Sequence, residues 1–208
     1  MHMMQCKRCG TCCKKGGPSF HRQDKDLVEN GLILLTDIYT IRKGEPAYDN
    51  VNMRNIYADS DIIKIKSRKG TTACIFFDEC KNVCRIYSHR PVECRVLTCW
   101  DTVEIERIYS KDRLVRKDLL SQIHGLWDLI DDHQNRCSYE TLRSLFESVT
   151  LNKDKAASED IRYIVDYDTH IRQLVLEKSH MNPEMMDFLF GRCLEETIKG
   201  FGLQFKRM

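Results

Sequence analysis

The sequence predicts an α-rich α+β protein: an irregular, cysteine-rich half with a short β-hairpin and short helices, followed by a small helical bundle. Three observations carry this expectation. Nine of the eleven cysteines lie between Cys6 and Cys99. Residues 1–100 hold 17 Lys and Arg against 11 Asp and Glu, whereas residues 101–208 hold 16 against 20. Sustained helical spacing of apolar residues begins only near Arg113. A boundary near residue 101 follows, with 1–101 and 102–208 as the two parts and the second packed on or docked to the first.

Along the chain, KKGGPSF after the first cysteines is a turn-rich stretch, and Arg22 to Glu29 suits a short helix ended by Asn30-Gly31. Thr36 can cap a helix over DIYTIRK that stops at Gly44, and Asp49 to Asp59 shows no period and reads as loop. DIIKIKS (61–67), a turn at SRKG and the β-prone TTACIFF (71–77) together make a hairpin signal. Val115, Leu119, Ile123, Leu126, Trp127 and Ile130 form an apolar stripe that predicts one helix of about five turns. Ser138 caps a second helix, a third runs from about Ala156 to Ser179, and Asn182-Pro183 opens a fourth that Gly191 ends.

The thiols are the chemically informative residues. CKRCGTCC places Cys6, Cys9, Cys12 and Cys13 within eight positions, and residues 74–99 add Cys74, Cys80, Cys84, Cys94 and Cys99. Ordinary core cysteines occur singly rather than in such groups. A disulfide framework suits small secreted chains, and eleven thiols leave one unpaired. Cys9-Gly10-Thr11-Cys12 could cycle as a redox pair, but no βαβ pattern surrounds it and two further thiols flank it. Metal ligation explains more, because a tight turn between cysteines three apart aims both thiolates at one centre. Three cysteines in C-x-x-C-x-x-C can curl around an iron–sulfur cluster, with a remote fourth closing the shell. Residues 1–101 therefore read as a cysteine-cluster metal-binding domain.

These residues carry a family resemblance. CKRCGTCC, a later Cys74 and then CRIYSHRPVECR resemble the YkgJ-type cysteine-cluster family (CxxCxxCC) of zinc- or iron-chelating proteins. The resemblance covers about residues 6–99. It implies Cys6, Cys9, Cys12, Cys13, Cys74, Cys84 and Cys94 as metal ligands, with Cys80 and Cys99 as additional ones. A similar cluster occurs in a flagellin lysine methylase, so the resemblance also touches catalysis.

Read physically, Arg90-Pro91 stops any helix begun at Ile86, and Pro91 can start a turn carrying Cys94. Cys84 and Cys94 would then approach one centre on two arms. Arg85, Arg90 and Arg95 could fix loop carbonyls or hydrogen-bond sulfur. His89 lies inside the second motif and could replace a thiolate ligand, and His2 and His21 flank the first group, but all three read more simply as surface or hydrogen-bonding residues, and Cys137 and Cys193 as free thiols.

Two readings remain from the sequence: a metal-binding protein holding zinc or iron (an iron–sulfur cluster), and an enzyme that uses the centre. No G-x-G-x-x-G or P-loop is present, and no catalytic motif stands out. The scattered excess charge argues against nucleic acid, and the apolar runs are too short to span a bilayer. The N-terminus lacks the apolar stretch of an export signal, which makes a cytoplasmic location the expectation. The acidic helical half could dock a protein partner.

Overall fold

The computed structural model describes residues 8–98 and 100–201. In chain order, the first part contains α1 (Thr11–Lys14), α2 (Lys25–Glu29), β1 (Ile38–Ile41), β2 (Pro46–Asp49), β3 (Arg54–Tyr57) and β4 (Ile62–Ile65). Next come β5 (Phe77–Asp78), β6 (Val83–Cys84), α3 (Val92–Val96), α4 (Val103–Ile108) and α5 (Arg116–Leu120). The remainder holds α6 (Leu126–Arg136), α7 (Tyr139–Asn152), α8 (Lys155–Ser179), α9 (Met186–Leu189) and α10 (Leu194–Thr197). The fold is α-rich α+β, as expected.

Four expectations about elements are corrected. DIYTIRK does not form a helix. Ile38, Tyr39, Thr40 and Ile41 are β-branched or aromatic, alternate between buried and half-buried, and pair antiparallel with β4 from Ile38↔Ile65 to Ile41↔Ile62. The stretch 49–59 is not all loop, because β2 and β3 form a hairpin in register Pro46↔Tyr57 to Asp49↔Arg54. That hairpin buries little on either face, so it leaves no apolar period to read. Residues 61–67 and 71–77 do fold back on each other, through Arg68 N–H to Ala73 O at 2.7 Å and a bridge at Ser67↔Cys74. The ladder partner of β4, however, is β1.

The fourth correction concerns the five-turn helix from Arg113. It is two helices, α5 and α6, separated by a turn in which Ile123 is exposed and Gly125 adopts φ 80°. The later helices follow expectation. Ser138 accepts from Thr141 N, Asp154 accepts from Ala156 N and Ala157 N, and Asn182 accepts from Glu184 N ahead of Pro183.

A single apolar cluster joins residues from both parts of the chain. Phe20, Ile38, Ile63 and Phe77 pack with Leu114, Ile130, Phe188 and Leu189. Thr40 Oγ1 donates to Phe188 O at 2.7 Å, which seats β1 on α9. Arg116 forks onto Asp61 at 2.7 and 3.0 Å and also donates to Leu189 O, tying the end of the β4 arm to α5 and α9. A second cluster, including Tyr139, Leu142, Phe146, Ile161 and Leu194, lies among α7, α8 and α10. No described helix is long and apolar enough to cross a membrane.

Candidate metal centre

Gly10 sets the path of the first cysteine group. At φ 74° it precedes α1, and Lys14 N–H closes onto Gly10 O at 2.9 Å. A Cβ at this position would stand 2.4 Å from Phe77 Cζ and 2.7 Å from Asn82 Oδ1. Only glycine lets the backbone lie this close to the β5–β6 hairpin, which carries Cys84 opposite Phe77. Asn82 Nδ2 donates to Arg8 O at 2.7 Å, and Cys74 N–H donates to Cys13 O at 2.8 Å. The two groups, some seventy residues apart in sequence, are thus tied together through their backbones.

The Arg90-Pro91 segment behaves as the two-arm expectation requires. A short 3-10 turn spans Tyr87–His89, Arg90 is extended at ψ 140°, and α3 then carries Cys94. Pro91 supplies no side-chain cap, so the first amide of α3 is satisfied from elsewhere: Val92 N–H donates to the buried Asp24 at 2.8 Å. Glu93 accepts from Ser19 N at 2.7 Å and sits 3.2 Å from His21 Nε2. His21 Nδ1 faces Lys111 O at 2.7 Å. Both His21 partners are acceptors, so the ring carries two protons and balances the Glu93 carboxylate. Burial opposes that charge, but Glu93 and the Lys111 carbonyl raise the His21 pKa above its ordinary value.

The arginines among the cysteines hold carbonyls. Arg85 donates to Ile75 O at 2.6 Å, Arg90 to Tyr87 O and Cys94 O, and Arg95 to Arg90 O at 2.7 Å. Arg8 and Arg90 both stack on Tyr87, 4.6 and 3.9 Å from its ring centroid.

Cys9, Cys12, Cys13, Cys74, Cys84 and Cys94 all line one cavity of about 670 Å³. Cys80 is exposed and is not part of that lining. Cys6 and Cys99 lie outside the described residues. The sulfurs of Cys12 and Cys13 stand 4.0 Å apart. The hydrogen bond from Cys13 draws the Cys12 pKa down to about 6, and holding that proton pushes the Cys13 pKa up. Burial raises the pKa of Cys94, and the charges of Cys12, Cys74 and Cys84 add to the effect. Burial also raises Cys74, with Cys84 and Cys12 contributing. These thiols are close enough that each thiolate opposes the next. A cation among them would remove that mutual penalty, so the donor set fits a thiophilic metal or an iron–sulfur cluster.

The helical half contains a cluster that sequence reasoning did not single out. Ligand atoms of His133, Cys137 and Asp168 all lie within 4.8 Å of one another and all three residues are buried. The available signal was the i, i+4 spacing of His133 and Cys137. Asp168 is already saturated, taking His133 Nε2 at 2.7 Å and Arg172 Nε at 2.9 Å on one oxygen and Leu194 N at 2.9 Å on the other. Burial, together with the charges of Arg42 and Arg172, lowers His133 to about 4 against the pull of Asp168. The Arg172 guanidinium already compensates the carboxylate, so this network ties α6, α8 and α10 together rather than offering a cation site.

Beyond the thiols, the cavity continues between β1, the β2–β3 hairpin and α4, where Tyr39, Tyr48, Ile56, Ile62, Ile105 and Tyr109 line it. Lys64 and Arg113 line it as well. Burial lowers the Lys64 pKa, Arg113 reinforces the effect, and Glu93 opposes it.

Among known families, the one described as "CxxCxxCC: Putative zinc- or iron-chelating domain" matches residues 5–114, just over half of the chain. No curated protein matches, and no solved structure matches.

Proposed function

The chain belongs to the CxxCxxCC family of zinc- or iron-chelating domains, and from that premise we propose that Cys9, Cys12, Cys13, Cys74, Cys84 and Cys94 supply the ligands of its metal centre, with Cys6 completing the first group. The observation that carries this reading is the convergence of six thiols on one cavity wall, several of them raising one another's pKa. Cys80 and Cys99 would be accessory ligands. Thiolate ligation of this kind requires reduced cysteines, which suits a cytoplasmic location.

Iron in an iron–sulfur cluster is the occupant favoured by the spacing, because C-x-x-C-x-x-C lets three thiolates curl around a cluster.

Anaerobic purification with elemental analysis and a visible spectrum tests both levels. A brown protein with iron and acid-labile sulfide is expected. A colourless protein with stoichiometric zinc would remove the iron reading, and a protein without bound metal would remove the function itself. Alanine at Cys84 or Cys94 should lower metal per chain, and unchanged stoichiometry would exclude them as ligands. One observation favours the enzyme reading as a second: the cavity beside the thiols has the size of a small-molecule site.

A further inference from the structure

Arg113 is a cation without a counter-charge on the wall of the thiol cavity. Among the described residues its guanidinium makes no ion pair, and its Nη1 is buried without a hydrogen-bond partner. Arg113 is half-buried as a residue, but a buried guanidinium N–H left without a partner is costly, and natural interiors rarely keep one without a function. The backbone holds it in place: Leu114 N–H donates to Phe20 O at 3.0 Å, and Arg113 bridges His21.

The acids around it are already engaged. Glu93 holds His21 and the Ser19 amide. Asp49 accepts from Val51 N, Asn52 N and Tyr109 Oη, and Glu45 is paired with Arg192. Lys64 donates to Ser19 Oγ at 3.4 Å, and the charge of Arg113 opposes its own. Two neighbouring cations thus line the cavity, while Glu93, which acts on Lys64, is also shared with His21.

We infer that Arg113 and Lys64 form a recognition site for the carboxylate of a small organic acid, whose apolar body lies against Tyr39, Ile56, Ile62 and Tyr109. The guanidinium fork matches a carboxylate, and the ammonium adds a second donor. A monoanion is favoured over a phosphate dianion because Asp49 lines the same cavity and would repel the extra charge. The cavity, about 670 Å³ including the part lined by the thiols, has room for a small organic acid. The carboxylate site goes beyond the metal centre and does not depend on which metal the thiols hold.

The test uses the full chain as purified, with 3-phenylpropanoate and its neutral isostere 3-phenylpropanamide as probes, in isothermal titration calorimetry. The acid should bind at least about tenfold more tightly than the amide, the gain ordinary for a charge-assisted pair. Arg113→Met should erase that preference, and Lys64→Met should reduce it, with unchanged melting temperature showing that each variant folds. Absence of saturable acid binding, equal binding of acid and amide, or a preference that survives Arg113→Met would overturn the inference. Should Arg113→Met fail to fold, Lys64→Met decides alone, and an undiminished preference there refutes it. Inorganic phosphate binding more tightly than the acid would overturn the carboxylate assignment. Elemental analysis of the same samples separates the two claims. Metal without acid preference sinks only the carboxylate site, and acid preference without metal sinks only the metal centre.

Discussion

Replacing Gly10 by alanine probes how the two cysteine groups are held together. At φ 74° a side chain costs about 1–2 kcal/mol of backbone strain. The new Cβ would also stand 2.4 Å from Phe77 Cζ and 2.7 Å from Asn82 Oδ1. Phe77 is only 1% exposed, so its ring has nowhere to swing, and overpacking of this kind adds about 1–3 kcal/mol. Gly31 is the control, because it has φ 68° and a Cβ added there would meet no atom within 4 Å, leaving the strain alone. Gly10→Ala should therefore destabilise by roughly 2–5 kcal/mol against about 1–2 for Gly31→Ala. The readouts are thermal unfolding and metal per chain by elemental analysis. Gly10→Ala is expected to lose most of its metal while Gly31→Ala keeps it. Equal metal content and equal melting shifts in the two variants would show that the close approach at Phe77 does not position the thiols.

Asp24→Ala should remove acceptors from His21 N and Val92 N, cost about 1–3 kcal/mol and lower metal retention, while Asp26→Ala stays within about 0.5 kcal/mol in urea unfolding. Acid should destabilise the helical half. His133 titrates near 4 when folded against 6.5 when free, so its stabilising effect is complete above pH 6.5 and is lost as the pH falls to 4, amounting to roughly 3 kcal/mol. Asp168 is held at about 2 by His133 and Arg172 against its burial, so its own loss comes only below that window; a flat urea-unfolding profile from pH 7 to 4 would contradict the assignment. Chelation under reducing conditions should expose residues 9–18 and 74–97 to protease while far-ultraviolet circular dichroism from α7 and α8 persists, and proportional loss of both would mean one cooperative unit. Asp154→Ala should cost α8 about 1 kcal/mol, read from the melting temperature.

The helices of the second half are legible because they carry their own signals: caps at Ser138 and Asn182 and stripes with helical spacing. The errors fall where local and distant preferences compete. Val115 to Ile130 keeps a helical count of apolar residues, yet Gly125 takes φ 80° and the chain restarts as α6. In DIYTIRK the β-branched run and the partner at Ile62–Ile65 win over the cap at Thr36, and that partner lies outside any local window. The β2–β3 hairpin has no burial pattern to betray it. SRKG does turn the chain, but a turn says nothing about which strand fills the far side of β4.

The site divides along the same physical line. Thiols are legible because metal chemistry demands several of them at short spacings, and Gly10 because a tight turn is needed between Cys9 and Cys12. The groups that aim the thiols are not legible, since each acts on a residue far away in sequence: Asp24 on Val92, Glu93 on His21, Asn82 on Arg8. The arginines are the exception: their place among the cysteines suggests carbonyl or sulfur partners, and Arg85, Arg90 and Arg95 do donate to backbone carbonyls. This division bears on the order of events. Backbone amides, carbonyls and buried carboxylates set the path of the thiol-bearing loops, while the thiols they present oppose one another's ionisation, so these loops loosen when the metal is removed. A frame of this kind stores its cost in the sulfurs and leaves the metal to relieve it. Metal affinity should accordingly respond strongly to changes at Asp24 and Gly10, which supply no sulfur, and only weakly to loss of a peripheral cysteine such as Cys80.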